Sequence, residues 1–169
     1  MTVVLIGVPG SGKTCVAREL QARGYVAADT DQIVAERASV TGKDLYVLVE
    51  PERRRKLSEQ VLVELLDDAS PEGKFAIAVS SEALWEGSEA VRALRTYGDA
   101  GARVVWLTAD LSSLVRRNGM LGQHSGAIVM PRRHFRELMD AKRAVFESVA
   151  SETVDTSEMT ADQVAALLA

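Results

Sequence analysis

With one cysteine, Cys15, the chain cannot form an internal disulfide, which suits a reducing compartment. An excess of one charge is also lacking. A net charge of −4 gives no global attraction to nucleic acid or to an anionic membrane surface. No apolar run approaches the roughly 20 residues of a spanning helix. The short run Val3-Val4-Leu5-Ile6 has no basic stretch before it and reads as a strand, so the expected address is cytoplasmic, with no membrane partner. The two histidines, His124 and His134, have no cysteine nearby and do not make a metal site. Repeats, low-complexity tracts and linkers are missing too. What remains is 169 residues with 47% hydrophobic content, read as one domain over 1–169 with a sizeable core and expected to be a monomer.

What the chain does have begins at Gly7-Val8-Pro9-Gly10-Ser11-Gly12-Lys13-Thr14. It follows an apolar strand and precedes a helix-patterned segment, as the phosphate-binding P-loop G-x-x-x-x-G-K-[ST] requires. Glycines at 7, 10 and 12 let consecutive N–H groups point into one cradle. The N-terminus of the next helix adds attraction for phosphate. Lys13 is the expected partner of the β- and γ-phosphates, and the Thr14 hydroxyl the expected ligand of Mg²⁺ bound with ATP. Pro9, Gly10, Ser11, Gly12 and Cys15 complete the nucleotide-binding stretch, Cys15 as a small packing residue rather than a nucleophile.

Strand and helix patterns alternate along the chain, which predicts an α/β fold, a three-layer P-loop domain with a five-stranded parallel sheet and helices on both faces. Strands are expected at 2–7, 25–28, 75–79, 103–107 and 152–154. Helices are expected at 13–23, 32–38, 41–49, 51–68, 82–96, 111–118 and 132–149, with a capping box from Thr160 to Gln163 before a last one. Residues 118–131 have three glycines and no periodicity, and read as a lid. Helices within 31–68 would carry the acceptor.

Three places bear on that acceptor. Asp29-Thr30-Asp31 ends the second strand, where ligands of open α/β sheets collect. Asp29 can serve Mg²⁺, and Asp31 can orient an acceptor hydroxyl and take its proton, although an aspartate here can also simply cap the next helix. Arg53-Arg54-Arg55-Lys56 has the look of a solvated basic face from which one or two side chains can reach a pocket. Lys142-Arg143 follows the lid and is equally compatible with a surface pair.

Together these motifs resemble the shikimate kinase family over nearly the whole chain. The D-T-D of Asp29-Thr30-Asp31, the segment Glu50 to Arg54, and the helix Lys142-Arg143-Ala144-Val145-Phe146 carry the likeness. The resemblance implies a kinase and transferase of aromatic amino acid biosynthesis that moves the γ-phosphoryl of ATP to shikimate or a similar carboxylated polyol. It places Asp29 with the magnesium, Asp31 on the acceptor hydroxyls, and Arg54 (or Arg53) and Arg143 on the acceptor carboxylate. Arg116 or Arg117 would stand near adenine. The chain departs from the family where a triple-glycine turn is replaced by Ser80-Ser81-Glu82, and where the lid has no arginine, His124 lying nearest that place. Leu57 stands where the family has an acidic residue. Arg132 and Arg133 are candidates for the missing lid arginine. Glu82, if turned to the pocket, would repel a carboxylate, so a different small alcohol is the alternative acceptor. A nucleotide-binding regulator without catalysis is the other alternative. No N-K-x-D segment supports a GTPase switch, and no basic groove supports a nucleic-acid partner.

Overall fold

The computed structural model describes residues 1–125 and 131–169, the side chains of 119–125 excepted. Its centre is β1 (Val3–Ile6), four residues with no exposed surface. Such a run without polar alternation is what a strand covered on both faces requires. Side chains alternate across a sheet. Val3 and Leu5 therefore join one core, with Val16, Ala17 and Leu20 of α1 (Lys13–Ala22) and Val164, Ala165 and Leu168 of α8 (Ala161–Leu168). Val4 and Ile6 join the other, with Leu62 of α4 (Pro51–Asp68), Leu94 of α5 (Glu89–Asp99) and Phe146 of α7 (Arg132–Val149).

Five strands make one sheet in the order β2-β3-β1-β4-β5, with β2 at Val26–Asp29, β3 at Phe75–Ala78, β4 at Arg103–Thr108 and β5 at Glu152–Asp155. All pairings are parallel, in a register that sets Val3 beside Ala76 on one side and Arg103 on the other. The α/β reading of the sequence is the fold observed. β1 lies between strands that follow it in sequence on opposite sides, so a crevice opens at its C-terminal end. The P-loop occupies that crevice. A third, smaller core, with Val34 of α2 (Thr30–Arg37), Leu45 of the single-turn α3 (Leu45–Leu48), Val49, and Val61 of α4, supports the region beyond β2.

Three helices differ from the sequence expectation. The one expected at 41–49 is only the single turn Leu45–Leu48. The helix expected at 82–96 starts instead at Glu89, because Ser88 caps it by accepting from the Val91 N–H at 3.2 Å. Before it, Ser81–Ala83 forms one turn of 3₁₀ helix. The helix expected to stop at 118 continues, as α6, from Leu111 to Ser125. Glycine in a helix interior costs only about 1 kcal/mol, and no proline intervenes before Pro131, so nothing in the sequence forces a stop there. The remainder of the expected lid, 126–130, and the side chain of His124 lie outside the described residues. Among the described residues, no helix is long and apolar enough to cross a membrane.

Gly7 is the residue on which the loop's departure from β1 depends. Its φ is +149°, and a Cβ there would lie 2.5 Å from the Leu107 carbonyl oxygen and 2.7 Å from Ser11 Oγ. Gly7→Ala should therefore combine backbone strain with overpacking, a loss of roughly 2–5 kcal/mol. That corresponds to a fall in melting temperature of about 5–15 °C, read by circular dichroism. A variant melting with the wild type would show that the loop has slack the geometry does not allow.

Candidate active site

A cavity of about 970 Å³ runs from the P-loop across the ends of β1 and β3 to α3 and α4. It falls within the size of small-molecule sites. Pro9 to Cys15 line one part of it, and Asp29, Asp31, Tyr46, Arg54 and the segment 78–81 line another.

At the nucleotide end, α1 begins at Lys13 after Gly12, which has φ +100° and offers no side-chain cap. The first amide groups of α1 are thus open to a ligand, as an anion-binding helix start requires. Ser11 Oγ is buried nearby with no hydrogen-bond partner. The Lys13 ammonium donates to the carbonyls of Gly7 at 2.8 Å and Val8 at 3.1 Å. Burial holds its pKa below the ordinary lysine value, against the opposing pull of Asp31 and Asp29. Arg117 of α6 donates to the Thr156 hydroxyl at 2.9 Å and to the Thr156 carbonyl at 2.5 Å, and lines the cavity. Arg116, the other candidate, donates to Ser113 Oγ at 3.3 Å in its own helix and does not line it. Adjacent residues of a helix point about 100° apart, and of this pair it is Arg117 that faces the cavity.

The two aspartates divide their work. Asp29 closes β2 and caps α2, its Oδ1 accepting from the Asp31 N–H at 2.9 Å. Its Oδ2 accepts from the Thr14 hydroxyl at 2.6 Å, which ties the cap to the P-loop. Asp31, in the first turn of α2, accepts from the Tyr46 hydroxyl at 3.1 Å through Oδ2. Its Oδ1 is buried and has no partner. Burial, followed by the charge of Asp29, pushes the Asp31 carboxyl above the ordinary aspartate value. Desolvation of its hydroxyl end and the Asp31 charge push the Tyr46 phenol up, although the residue as a whole is 39% exposed, so it remains a donor.

Beyond Asp31, Arg54 projects from the first turn of α4 and is 8% exposed. Pro51 starts that helix at a position where a missing N–H costs nothing. The guanidinium lies 4.6 Å from the centre of the Tyr46 ring. Its Nε and Nη2 donate to the two Glu82 carboxylate oxygens at 2.6 and 2.7 Å, and Nη1 donates to the Val49 carbonyl at 2.9 Å. Glu82 comes from the 3₁₀ turn after β3, anchored by the Ser80 N–H donating to Thr30 Oγ1 at 2.7 Å.

Other expected residues stand elsewhere. Arg143 is exposed on α7 and does not line the cavity. Its neighbour Lys142 turns inward instead, its ammonium donating to the Leu84 carbonyl at 2.5 Å. Arg53 is exposed outside the cavity, and so are Arg132 and Arg133, the latter paired with Glu137 at 2.8 Å. Leu57 packs against the small core at α2–α4. Tyr46 was not legible as a site residue, since a tyrosine in one short turn between loops has no motif to mark it.

A family model described as an AAA domain matches residues 3–149. The shikimate kinase of Thermobifida fusca is 34% identical over 168 residues, covering 98% of this chain and 91% of the relative. That of Streptomyces coelicolor is 32% identical over 165 residues, covering 96% and 90%. Among solved structures, a shikimate kinase from Acinetobacter baumannii in complex with shikimate superimposes with a TM-score of 0.75 at 19% identity. That match covers 99% of this chain and 89% of the other, and speaks for the fold.

Proposed function

Because this chain belongs to the shikimate kinase family, and so is a phosphotransferase with an alcohol acceptor, we propose that it transfers the γ-phosphoryl of ATP to a hydroxyl of shikimate or a similar small polyol. The observation that carries the reading is Asp31. It is a partly buried carboxylate that lines the same cavity as the P-loop lysine and has one buried, unpartnered oxygen.

The triphosphate lies along the open amides of the P-loop and the start of α1. Lys13 exchanges the Gly7 and Val8 carbonyls for β- and γ-phosphate oxygens. The acceptor hydroxyl donates to the Asp31 carboxylate and gives up its proton there as its oxygen bonds to the γ-phosphorus. The bond from that phosphorus to the β–γ bridging oxygen breaks, and ADP leaves with the electron pair. Tyr46 donates to Oδ2 and so holds the carboxylate in place at the cavity wall. The raised pKa of Asp31 makes it a stronger base than an exposed aspartate, closer to the value that proton transfer near neutral pH favours.

Magnesium accepts hard oxygen donors and keeps several waters. The Thr14 hydroxyl and Asp29 carboxylate, already in contact at 2.6 Å, fit that demand and would hold it. When bound, the ion offsets negative charge on the phosphates. A single cysteine accords with a cytoplasmic address.

The test is steady-state ADP formation from Mg-ATP with and without millimolar shikimate. Acceptor-dependent turnover is the expected result. A rate that shikimate and small polyols leave unchanged, in protein that still binds ATP, would remove the transferase reading.

A further inference from the structure

Among the described residues, Arg54 is the one arginine or lysine lining the acceptor end beyond the P-loop lysine, and its fork is already filled. The two Glu82 oxygens take the Nε–Nη2 edge side-on, in the parallel geometry by which arginine holds a ligand carboxylate. Both partners are withdrawn from water, with side-chain exposures of 9% for Arg54 and 25% for Glu82. The Val49 carbonyl takes a third N–H, and the Tyr46 ring lies against the guanidinium. Lys142 also feels the Glu82 charge, but its ammonium donates to Leu84 and does not line the cavity. The acceptor end therefore contains a cation whose charge is matched within the protein, and a second carboxylate, Asp31, close by.

We infer that Glu82 is a specificity-determining residue. As a resident carboxylate it fills the guanidinium edge that an acceptor carboxylate would use, and so selects uncharged polyols over carboxylated ones. This deepens the phosphotransfer reading and rests on it. An incoming carboxylate would have to displace Glu82, leaving that anion half-buried and unpaired, or share one guanidinium with it. Either course brings like charges together in a poorly hydrated pocket. An uncharged hydroxyl or carbonyl meets no such obstacle. A guanidinium has five N–H donors, and the three contacts above leave two for it. The sequence Ser80-Ser81-Glu82 thus has a definite chemical meaning. The turn carries a carboxylate of its own to the arginine.

Matched probes test this directly. Shikimate and its methyl ester share a ring and hydroxyls and differ in the charge of one group. Their binding would be measured by calorimetry in the presence of Mg²⁺ and a non-hydrolysable ATP analogue, for wild type and Glu82→Gln. Wild type should bind the ester at least about tenfold more tightly than shikimate, and Glu82→Gln should reverse that order. The wild-type ratio decides even if the variant does not fold. Wild type preferring shikimate, an unchanged order in a folded variant, or no binding of either probe would each overturn the inference. Turnover measured alongside keeps the two ideas apart. Binding in the expected order without ADP formation would fail the transferase reading and leave the charge selection standing.

Discussion

Asp31→Asn should lower kcat by roughly 10²–10⁴ while leaving ATP affinity within about threefold, because it removes proton transfer and little else. The substitution keeps shape. The asparagine carbonyl can still accept from the Tyr46 hydroxyl, but no atom of the amide can take a proton from an acceptor. The carboxyl is raised above its ordinary value by burial and by Asp29, so the acid limb of the wild-type kcat/KM profile should lie above the usual aspartate range. That limb should be missing from the residual activity of the variant. Stability should move in the opposite sense to activity. The folded state holds this proton more tightly than the unfolded chain does. The stabilising contribution is therefore complete below the unfolded value and is lost as pH rises through the folded one. At neutral pH the ionised group is a cost, and its replacement should raise the melting temperature by about 2–4 °C. A variant with full turnover would remove Asp31 from the chemistry, whatever its melting curve.

That an aspartate pair stands where the second strand ends was legible in the sequence, and so was the sheet around it. Val3 to Ile6 is apolar without alternation, which specifies burial on both sides before any contact is known, and the P-loop spelling places a turn directly after it. The Thr160–Gln163 capping box was legible for the same reason, since its hydrogen bonds lie within four residues, and both are formed. Where the signal ceased to be local the reading thinned. Position within the motif could not tell which aspartate caps α2, since Asp29 caps the helix and contacts Thr14 through its two different oxygens. Whether Arg116 or Arg117 faces inward depends on the rotation of α6, and whether Lys142 or Arg143 does depends on that of α7. The sequence shows only that Glu82, if turned to the pocket, would repel a carboxylate. Its pairing with Arg54, 28 residues away in sequence, is set by the packing of the 3₁₀ turn against α4 and has no local signature.

Lys13→Ala should reduce kcat/KM by about 10³ or more, since it removes the P-loop ammonium that would meet the charge of the transferring phosphoryl group. Without a nucleotide the ammonium is satisfied by the Gly7 and Val8 carbonyls, and burial already disfavours its charge. It gains a strong partner only when phosphate arrives. The loss should therefore fall on the bound complex and leave the melting curve of the free protein little changed, which separates it from the effect of Gly7→Ala. Lys13→Arg should not restore the rate, because a planar fork on a different stem cannot reproduce a compact point charge on the loop's own carbonyls. The two catalytic positions are also coupled. Lys13 is one of the groups that lowers the Asp31 carboxyl against the burial that raises it. Removing the ammonium should push Asp31 higher still, so that the acid limb of the residual Lys13→Ala activity moves to higher pH, whereas in Asp31→Asn it vanishes. Turnover by Lys13→Ala within tenfold of wild type, or an acid limb that stays in place, would mean that the ammonium and the carboxylate do not act on one another across the cavity.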